Sequence, residues 1–226
     1  MASHTLQKTP AHRRKIFVVD DHAVLREGLV AQINREADLV VCGEASDARQ
    51  ALARVQELAP DLVVADITLP GRNGLELIRD LRALRPGLPI LVLSMHDESL
   101  FAERVLRAGG RGYVSKQQSG QQLIEAIRRV LSGKIYVSED VSTKMFDSLA
   151  GRVPARTLSP VEQLTDRELE VFTMIGQAKA TKEISRRLGM SVKTVEAHRA
   201  SIKRKLKLPT GPQLTRHAVL WVEAVK

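Results

Sequence analysis

A chain of 226 residues accommodates one large domain or two ordinary ones with real cores, and its single cysteine, Cys42, excludes an intrachain disulfide and a Cys-based metal site. No run approaches the roughly 20 apolar residues that span a bilayer, and the first ten residues lack a signal peptide's apolar core, so a soluble, cytoplasmic protein with no membrane partner is expected. The net charge of +9 is uneven: residues 179–207 carry ten basic side chains against the acids Glu183 and Glu196, a density that points to a polyanion, with nucleic acid ahead of membrane.

Residues 1–13 lack periodicity and read as a disordered tail. Apolar runs rich in β-branched residues follow at 16–19, 39–41, 62–65, 90–93 and 113–114, and predict strands buried on both faces. Helix-period segments lie between and after them, at about 23–36, 47–58, 74–85, 98–108 and 120–132. Five strand-helix repeats predict an α/β domain over 14–137, a doubly wound five-stranded parallel sheet with its ligand site outside the carboxyl ends of the strands.

Residues 138–160 read as a linker, with a short helix to about Leu149 and then a Gly- and Pro-containing stretch. Residues 161–226 predict a small all-α domain of four helices, at about 165–177, 181–188, 191–206 and 213–225. Thr165 with Glu168 forms a capping-box pattern, and Ser191 is an N-cap candidate.

The residues at the ends of the strands carry the chemistry: Asp20 and Asp21, then Asp66, Ser94 and Lys116. Three converging carboxylates repel one another unless a cation sits among them, and an all-oxygen acidic pocket suits Mg²⁺. One Asp in such a site is a candidate nucleophile toward phosphorus, with metal and ammonium neutralising the developing charge. His22, beside the acid pair, is expected to begin the first helix rather than act as a base.

These residues stand in Val18-Val19-Asp20-Asp21-His22, Asp66-Ile67-Thr68-Leu69-Pro70-Gly71-Arg72-Asn73-Gly74, Leu91-Val92-Leu93-Ser94 and Gly112-Tyr113-Val114-Ser115-Lys116. In these segments the chain resembles the receiver domain of two-component response regulators, a flavodoxin-like fold with strand order 2-1-3-4-5. The resemblance implies that Asp66 accepts a phosphoryl group from a sensor histidine kinase. It implies that Asp21, Asp66 and the backbone carbonyl of Thr68 bind Mg²⁺, with Asp20 acting through water, and that Ser94 and Lys116 contact the phosphoryl oxygens. Tyr113 matches the family's switch aromatic, coupled to Ser94. Thr68 and His96 occupy positions that modulate water access, and Gln117 stands where many receivers have Pro. An aspartyl-phosphate hydrolase is disfavoured because Thr68, not a second carboxylate, stands two residues after Asp66. The protein is therefore not expected to turn over an external substrate.

In the last domain a short turn at Gly189-Met190 separates two helices, the arrangement of a helix-turn-helix. Val195, Ile202 and Leu206 form an apolar stripe, which leaves Lys193, Thr194, His198, Arg199, Lys203 and Arg204 for an outer face that fits the major groove. The strings Leu164-Thr165-Asp166-Arg167-Glu168-Leu169-Glu170-Val171, Lys182-Glu183-Ile184-Ser185 and Ser191-Val192-Lys193-Thr194-Val195-Glu196-Ala197-His198-Arg199 resemble the LuxR/FixJ/NarL-type helix-turn-helix domain. That resemblance implies contacts to double-stranded promoter DNA from Lys182, Lys193, Thr194, Glu196, Ala197, His198, Arg199, Lys203 and Arg204. Glu196 either accepts from a cytosine amino group or pairs with a neighbouring Arg. The segment Ala178-Lys179-Ala180-Thr181 departs from the family, which has Gly at the first position. Leu214, Ala218, Trp221 and Val222 make the last helix apolar enough for a homodimer face, with core packing as the alternative. The whole pattern implies a phosphorylation-controlled transcription factor that dimerises on activation and has RNA polymerase as a partner.

Overall fold

The computed structural model describes residues 13–71, 73–96, 98–150 and 160–225. The expected tail up to residue 12 and the Gly- and Pro-containing stretch 151–159 lie outside the described residues.

Five strands, β1 (Arg14–Val19), β2 (Leu39–Ala45), β3 (Leu62–Ala65), β4 (Ile90–Ser94) and β5 (Gly112–Ser115), form an all-parallel sheet in the order β2-β1-β3-β4-β5. Alternation along the strands splits the core into two layers. Phe17, Val19, Val63, Ala65, Ile90 and Val92 pack on one face, against α2 (Ala48–Leu58), α3 (Gly74–Leu84) and α4 (Glu98–Arg107). Ile16, Val18, Leu62, Val64 and Leu91 pack on the other, against α1 (Ala23–Asn34) and α5 (Gly120–Leu131). Burying a side chain of this kind contributes about 1.5–3 kcal/mol.

Strand β2 continues through Cys42, Gly43 and Glu44, beyond its apolar run. Its register beside β1 explains this: Phe17 pairs with Gly43, where a Cβ would stand 2.5 Å from Leu58 and 2.9 Å from the Phe17 ring. Because β2 is an edge strand, it tolerates the polar Glu44. Cys42 is half-buried, and burial pushes its thiol up from the ordinary value.

Helix α6 (Glu139–Leu149) packs back on α4, buries Val141 and donates its leading Ser138 N–H to Glu98. A 3₁₀ turn (Pro160–Gln163) then leads into α7 (Asp166–Gly176), α8 (Thr181–Arg187), α9 (Val192–Lys205) and α10 (Gly211–Val225). At the start of α7 the capping box is complete, with the Glu168 N–H donating to Thr165 Oγ1 and the Thr165 N–H to Glu168 Oε2. Glu168 is tied further, by Lys205 Nζ at 2.6 Å and Ser201 Oγ at 2.7 Å.

Helix α10 divides its apolar stripe between core and surface. Leu214 and Ala218 are fully buried, and the Trp221 ring lies 5.3 Å from that of Phe172 on α7. Gly176 leaves room for this approach, since a Cβ there would stand 2.4 Å from the Ala218 carbonyl and 2.5 Å from Val222. Leu214 and Ala218 thus pack on α7 and close the core of the helical domain, while Trp221 and Val222 stay half-exposed.

Candidate functional site

The carboxyl ends of β1 and β3 carry Asp20, Asp21 and Asp66 to one edge of the sheet. Ligand atoms of Asp20, Asp21, His22 and Asp66 all lie within 4.8 Å of one another. Gly74 makes the close packing possible: a Cβ there would stand 2.5 Å from the Ile67 Cα and 2.7 Å from the Asp66 carbonyl, so only glycine lets α3 start against this backbone. Lys116, at the end of β5, places Nζ 2.6 Å from Asp66 Oδ2 and 2.7 Å from Asp20 Oδ2, with all three side chains buried. The second Asp66 oxygen accepts from the Thr68 N–H at 3.0 Å.

Burial pushes the Asp66 carboxyl up to about 6, against the pull of Lys116. Burial also works to lower the Lys116 ammonium, but Asp66 and Asp20 outweigh it and the net shift is upward. Asp21 Oδ1 is buried without a hydrogen bond, although His22 Nδ1 stands 2.9 Å away. Crowded carboxylates with an unsatisfied buried oxygen fit a divalent cation of the oxygen-preferring class. His22 caps α1 by backbone position, with its side chain exposed.

Behind the acids, Ser94 Oγ accepts from the His96 N–H at 3.1 Å, and Tyr113 Oη donates to the His96 carbonyl at 2.7 Å. Tyr113 is fully inside, at 1% exposure. The His96 ring stacks on Phe101 of α4 with centroids 4.6 Å apart, and its Nε2 lies 3.0 Å from Thr68 Oγ1. Burial lowers this imidazole to about 4, so it is neutral at ordinary pH. His96 thus ties together the loop after Asp66, Ser94, Tyr113 and α4. Sequence reading named His96 for its position alone, because stacking on a residue five places away leaves no local signal.

In the helical domain, α8 and α9 form a helix-turn-helix. Ser191 caps α9 by accepting from the Thr194 N–H at 3.0 Å. Lys182, Lys193, Thr194, Glu196, Ala197 and Arg204 are exposed. His198, Arg199 and Lys203 are half-buried, at the margins of the outer face. His198 and Arg199 follow Val195 by three and four residues, as Lys203 precedes Leu206 by three, so helical geometry turns them toward the packed side. Burial lowers the His198 imidazole accordingly. Glu196 is paired: Oε1 accepts from Thr181 Oγ1 at 3.0 Å, and Oε2 stands 3.6 Å from Arg199 Nε.

Comparison with known proteins finds a family for each of the two domains. The family described as the response regulator receiver domain matches residues 16–128, and the family described as bacterial regulatory proteins, luxR family, matches residues 162–218. The oxygen regulatory protein NreC of Staphylococcus aureus is 37% identical over 209 residues, which cover 91% of this chain and 96% of the relative. The chain belongs to the LuxR-family response regulators. It is a DNA-binding transcriptional regulator under phosphorylation control. A solved LuxR-family two-component response regulator from Aurantimonas covers 61% of this chain and 99% of its own, at 36% identity and TM-score 0.57. The response regulator RcsB of Salmonella typhimurium, at 22% identity, covers 95% and 99% with TM-score 0.67 and shows the shared fold. Among the described residues no helix is long and apolar enough to cross a membrane.

The receiver and the DNA-binding domain of this response regulator touch at a contact that sequence reading missed. Asp166, in the first turn of α7, is held between two receiver helices, by Arg79 Nη2 of α3 at 2.8 Å and Arg104 Nη1 of α4 at 2.9 Å. Arg104 also donates to the Leu164 carbonyl at 2.9 Å. The Gly71 N–H, in the loop after Asp66, donates to the Leu188 carbonyl at 3.2 Å, just before the helix-turn-helix turn. The fit is tight enough that a Cβ on Gly189 would lie 2.6 Å from the Gly71 nitrogen. In the sequence, Asp166 reads simply as a helix-start acid and Arg104 as one surface Arg among many.

Proposed function

We propose that Asp66 is the phosphoacceptor and that its phosphorylation opens the contact between the two domains. One observation carries this reading: the buried Asp66 carboxylate stands in an acid cluster with the Lys116 ammonium 2.6 Å away. A carboxylate oxygen of Asp66 attacks the phosphorus of a phosphohistidine on a sensor kinase. The P–N bond breaks, the ring nitrogen keeps the electron pair, and an acyl phosphate remains. Mg²⁺, held by Asp21, Asp66 and the Thr68 carbonyl, with Asp20 through water, would neutralise charge on the transferring group. Lys116 and Ser94 bind the phosphoryl oxygens. The chain holds and loses this group without turning over an external substrate.

When Ser94 turns toward the phosphoryl group it gives up the His96 N–H, and that loosens the tie between His96, Tyr113 and α4. Arg104 rides on α4, so movement there weakens its grip on Asp166 and frees the DNA-binding domain. Two freed chains then pair on promoter DNA in the cytoplasm, with RNA polymerase as the downstream partner. Lys182, Lys193, Thr194, Lys203 and Arg204 position the domain on phosphates, with Arg199 and His198 beside the groove wall. Helix α10 offers the pairing surface, with Trp221 and Val222 half-exposed beside the buried Leu214 and Ala218.

Intact-mass measurement with acetyl phosphate and Mg²⁺ tests the chemistry. The reading predicts a gain of one phosphoryl group by the native chain and none by Asp66→Asn. A gain that persists in Asp66→Asn would place the acceptor elsewhere.

A further inference from the structure

We infer that Arg26 is a positioning residue for the metal site, acting through the peptide between Asp20 and Asp21. The inference rests on the reading of the acid cluster as a Mg²⁺ site and adds what aims Asp21 into it. Asp20 is fixed at its backbone and its side chain. Its N–H donates to the Ala45 carbonyl of β2 at 3.1 Å, and its carboxylate accepts from the His22 N–H at 2.8 Å and from Lys116 Nζ at 2.7 Å. The Asp20 carbonyl accepts from Arg26 Nη1 at 2.7 Å. That carbonyl lies in the planar peptide shared with Asp21, so the guanidinium sets the plane from which the Asp21 side chain leaves. Asp21 Oδ1 is buried without a hydrogen bond, beside the exposed His22 ring, so its direction comes from the backbone that carries it.

Arg26 is in turn fixed from the far side. Its Nε donates to Glu44 Oε2 of β2 at 2.8 Å, and the Glu44 carbonyl accepts from Arg54 Nη1 of α2 at 2.6 Å. With its side chain 18% exposed, the guanidinium spans from β2 to the loop after β1. A planar fork reaches two acceptors in fixed directions at once, whereas the ammonium of a Lys is a point charge on a flexible stem. The Glu44 carboxylate also offsets the Arg26 charge, so the clamp holds the loop without repelling a cation among the acids. Glu44 thus has a task on an edge strand that merely tolerates it.

The test is a Mg²⁺ titration of the full-length chain followed by the amide NMR shifts of Asp21 and Thr68, in spectra that also report whether each variant is folded. The native chain is expected to show Mg²⁺-dependent shifts at both residues. Arg26→Ala should weaken Mg²⁺ binding about tenfold, the usual scale for groups that orient a metal ligand. Arg26→Lys restores the charge and should recover only part of that loss. Glu44→Gln keeps an acceptor for Arg26 without the negative charge and should weaken binding about twofold. Arg128→Ala breaks an ion pair with Asp38, which precedes β2 at the opposite edge of the sheet, and should leave the dissociation constant unchanged. Removing a nearby positive charge would by itself tighten cation binding. An unchanged or tighter constant in Arg26→Ala, or a native one in Arg26→Lys, would therefore overturn the inference. A native chain without Mg²⁺-dependent shifts would instead overturn the reading of the acid cluster as a metal site.

Discussion

Arg104 on α4 reaches Asp166 at the start of α7 with 2.9 Å between Nη1 and Oδ1, so an ion pair joins the phosphorylation domain to the DNA-binding domain. Arg79 completes the clamp on the other carboxylate oxygen at 2.8 Å. The side chains are partly exposed, so the network contributes about 1–2 kcal/mol to the closed arrangement. Asp166→Ala should therefore raise the affinity of the unphosphorylated chain for duplex DNA by up to about tenfold, by increasing the fraction in the open form. Titration of labelled duplex, with Arg104→Ala as a second route to the same state, checks this. Unchanged affinity in both variants would show that the clamp does not restrain the domain.

Glu168 anchors the helical domain through Thr165, Ser201 and Lys205. Burial works to raise its carboxyl, but the hydrogen bonds from Lys205 and Ser201 outweigh it and hold it at about 2, below the ordinary 4.5. The folded form thus favours the charged state. The stabilisation is complete above about 4.5 and is lost as pH falls toward 2. Glu168→Ala should destabilise the domain by about 2–4 kcal/mol at neutral pH, through loss of the cap and of a mostly buried pair. Chemical denaturation at pH 7 and pH 3 reads both effects, and the variant should differ less from the native chain at the lower pH.

Glu170 behaves in the opposite sense. It is wholly buried beside Arg167 at 2.8 Å, its Oε1 has no hydrogen bond, and burial pushes its carboxyl up to about 7 from 4.5. The folded state favours the protonated form, so the contribution is fully present below 4.5 and lost as pH rises through about 7. Glu170→Gln keeps an acceptor for Arg167 and removes the titration. Thermal unfolding at pH 5 and pH 8 should show a smaller loss of Tm for the variant than for the native chain.

Ala178 adopts φ of +60°, a left-handed conformation, at the position where the family has Gly. A Cβ in that region costs about 1–2 kcal/mol, whereas glycine's extra freedom in the unfolded chain offsets about 0.4–1. Ala178→Gly should leave a net stabilisation of about 0.5 kcal/mol. A rise of one or a few degrees in Tm is the expected result, and a fall would show that the left-handed turn carries little strain.

Much of the fold was legible because strand runs buried on both faces and helices with clear caps leave local signals, as at Thr165 and Ser191. The acid pocket was legible for a topological reason: parallel strands carry Asp20, Asp66 and Lys116 to the same edge whatever the loops do. The contacts of His96, Asp166 and Arg104 depend on pairings between distant segments, and Asp166 lies 62 residues from Arg104. On α9, a list of polar residues does not show that His198 and Arg199 flank Val195 and stand half-buried at the margin of the outer face. On α10, an apolar stripe looks the same whether it meets its own domain or a second copy, and the structure buries Leu214 and Ala218 while leaving Trp221 and Val222 half-exposed.

The most direct test of the account is the affinity of the full-length chain for a selected duplex, measured before and after phosphorylation, with Asp66→Asn alongside. The account predicts that phosphorylation tightens binding of the native chain about tenfold or more and leaves Asp66→Asn unchanged. Equal affinity of the phosphorylated and unphosphorylated native chain would contradict it.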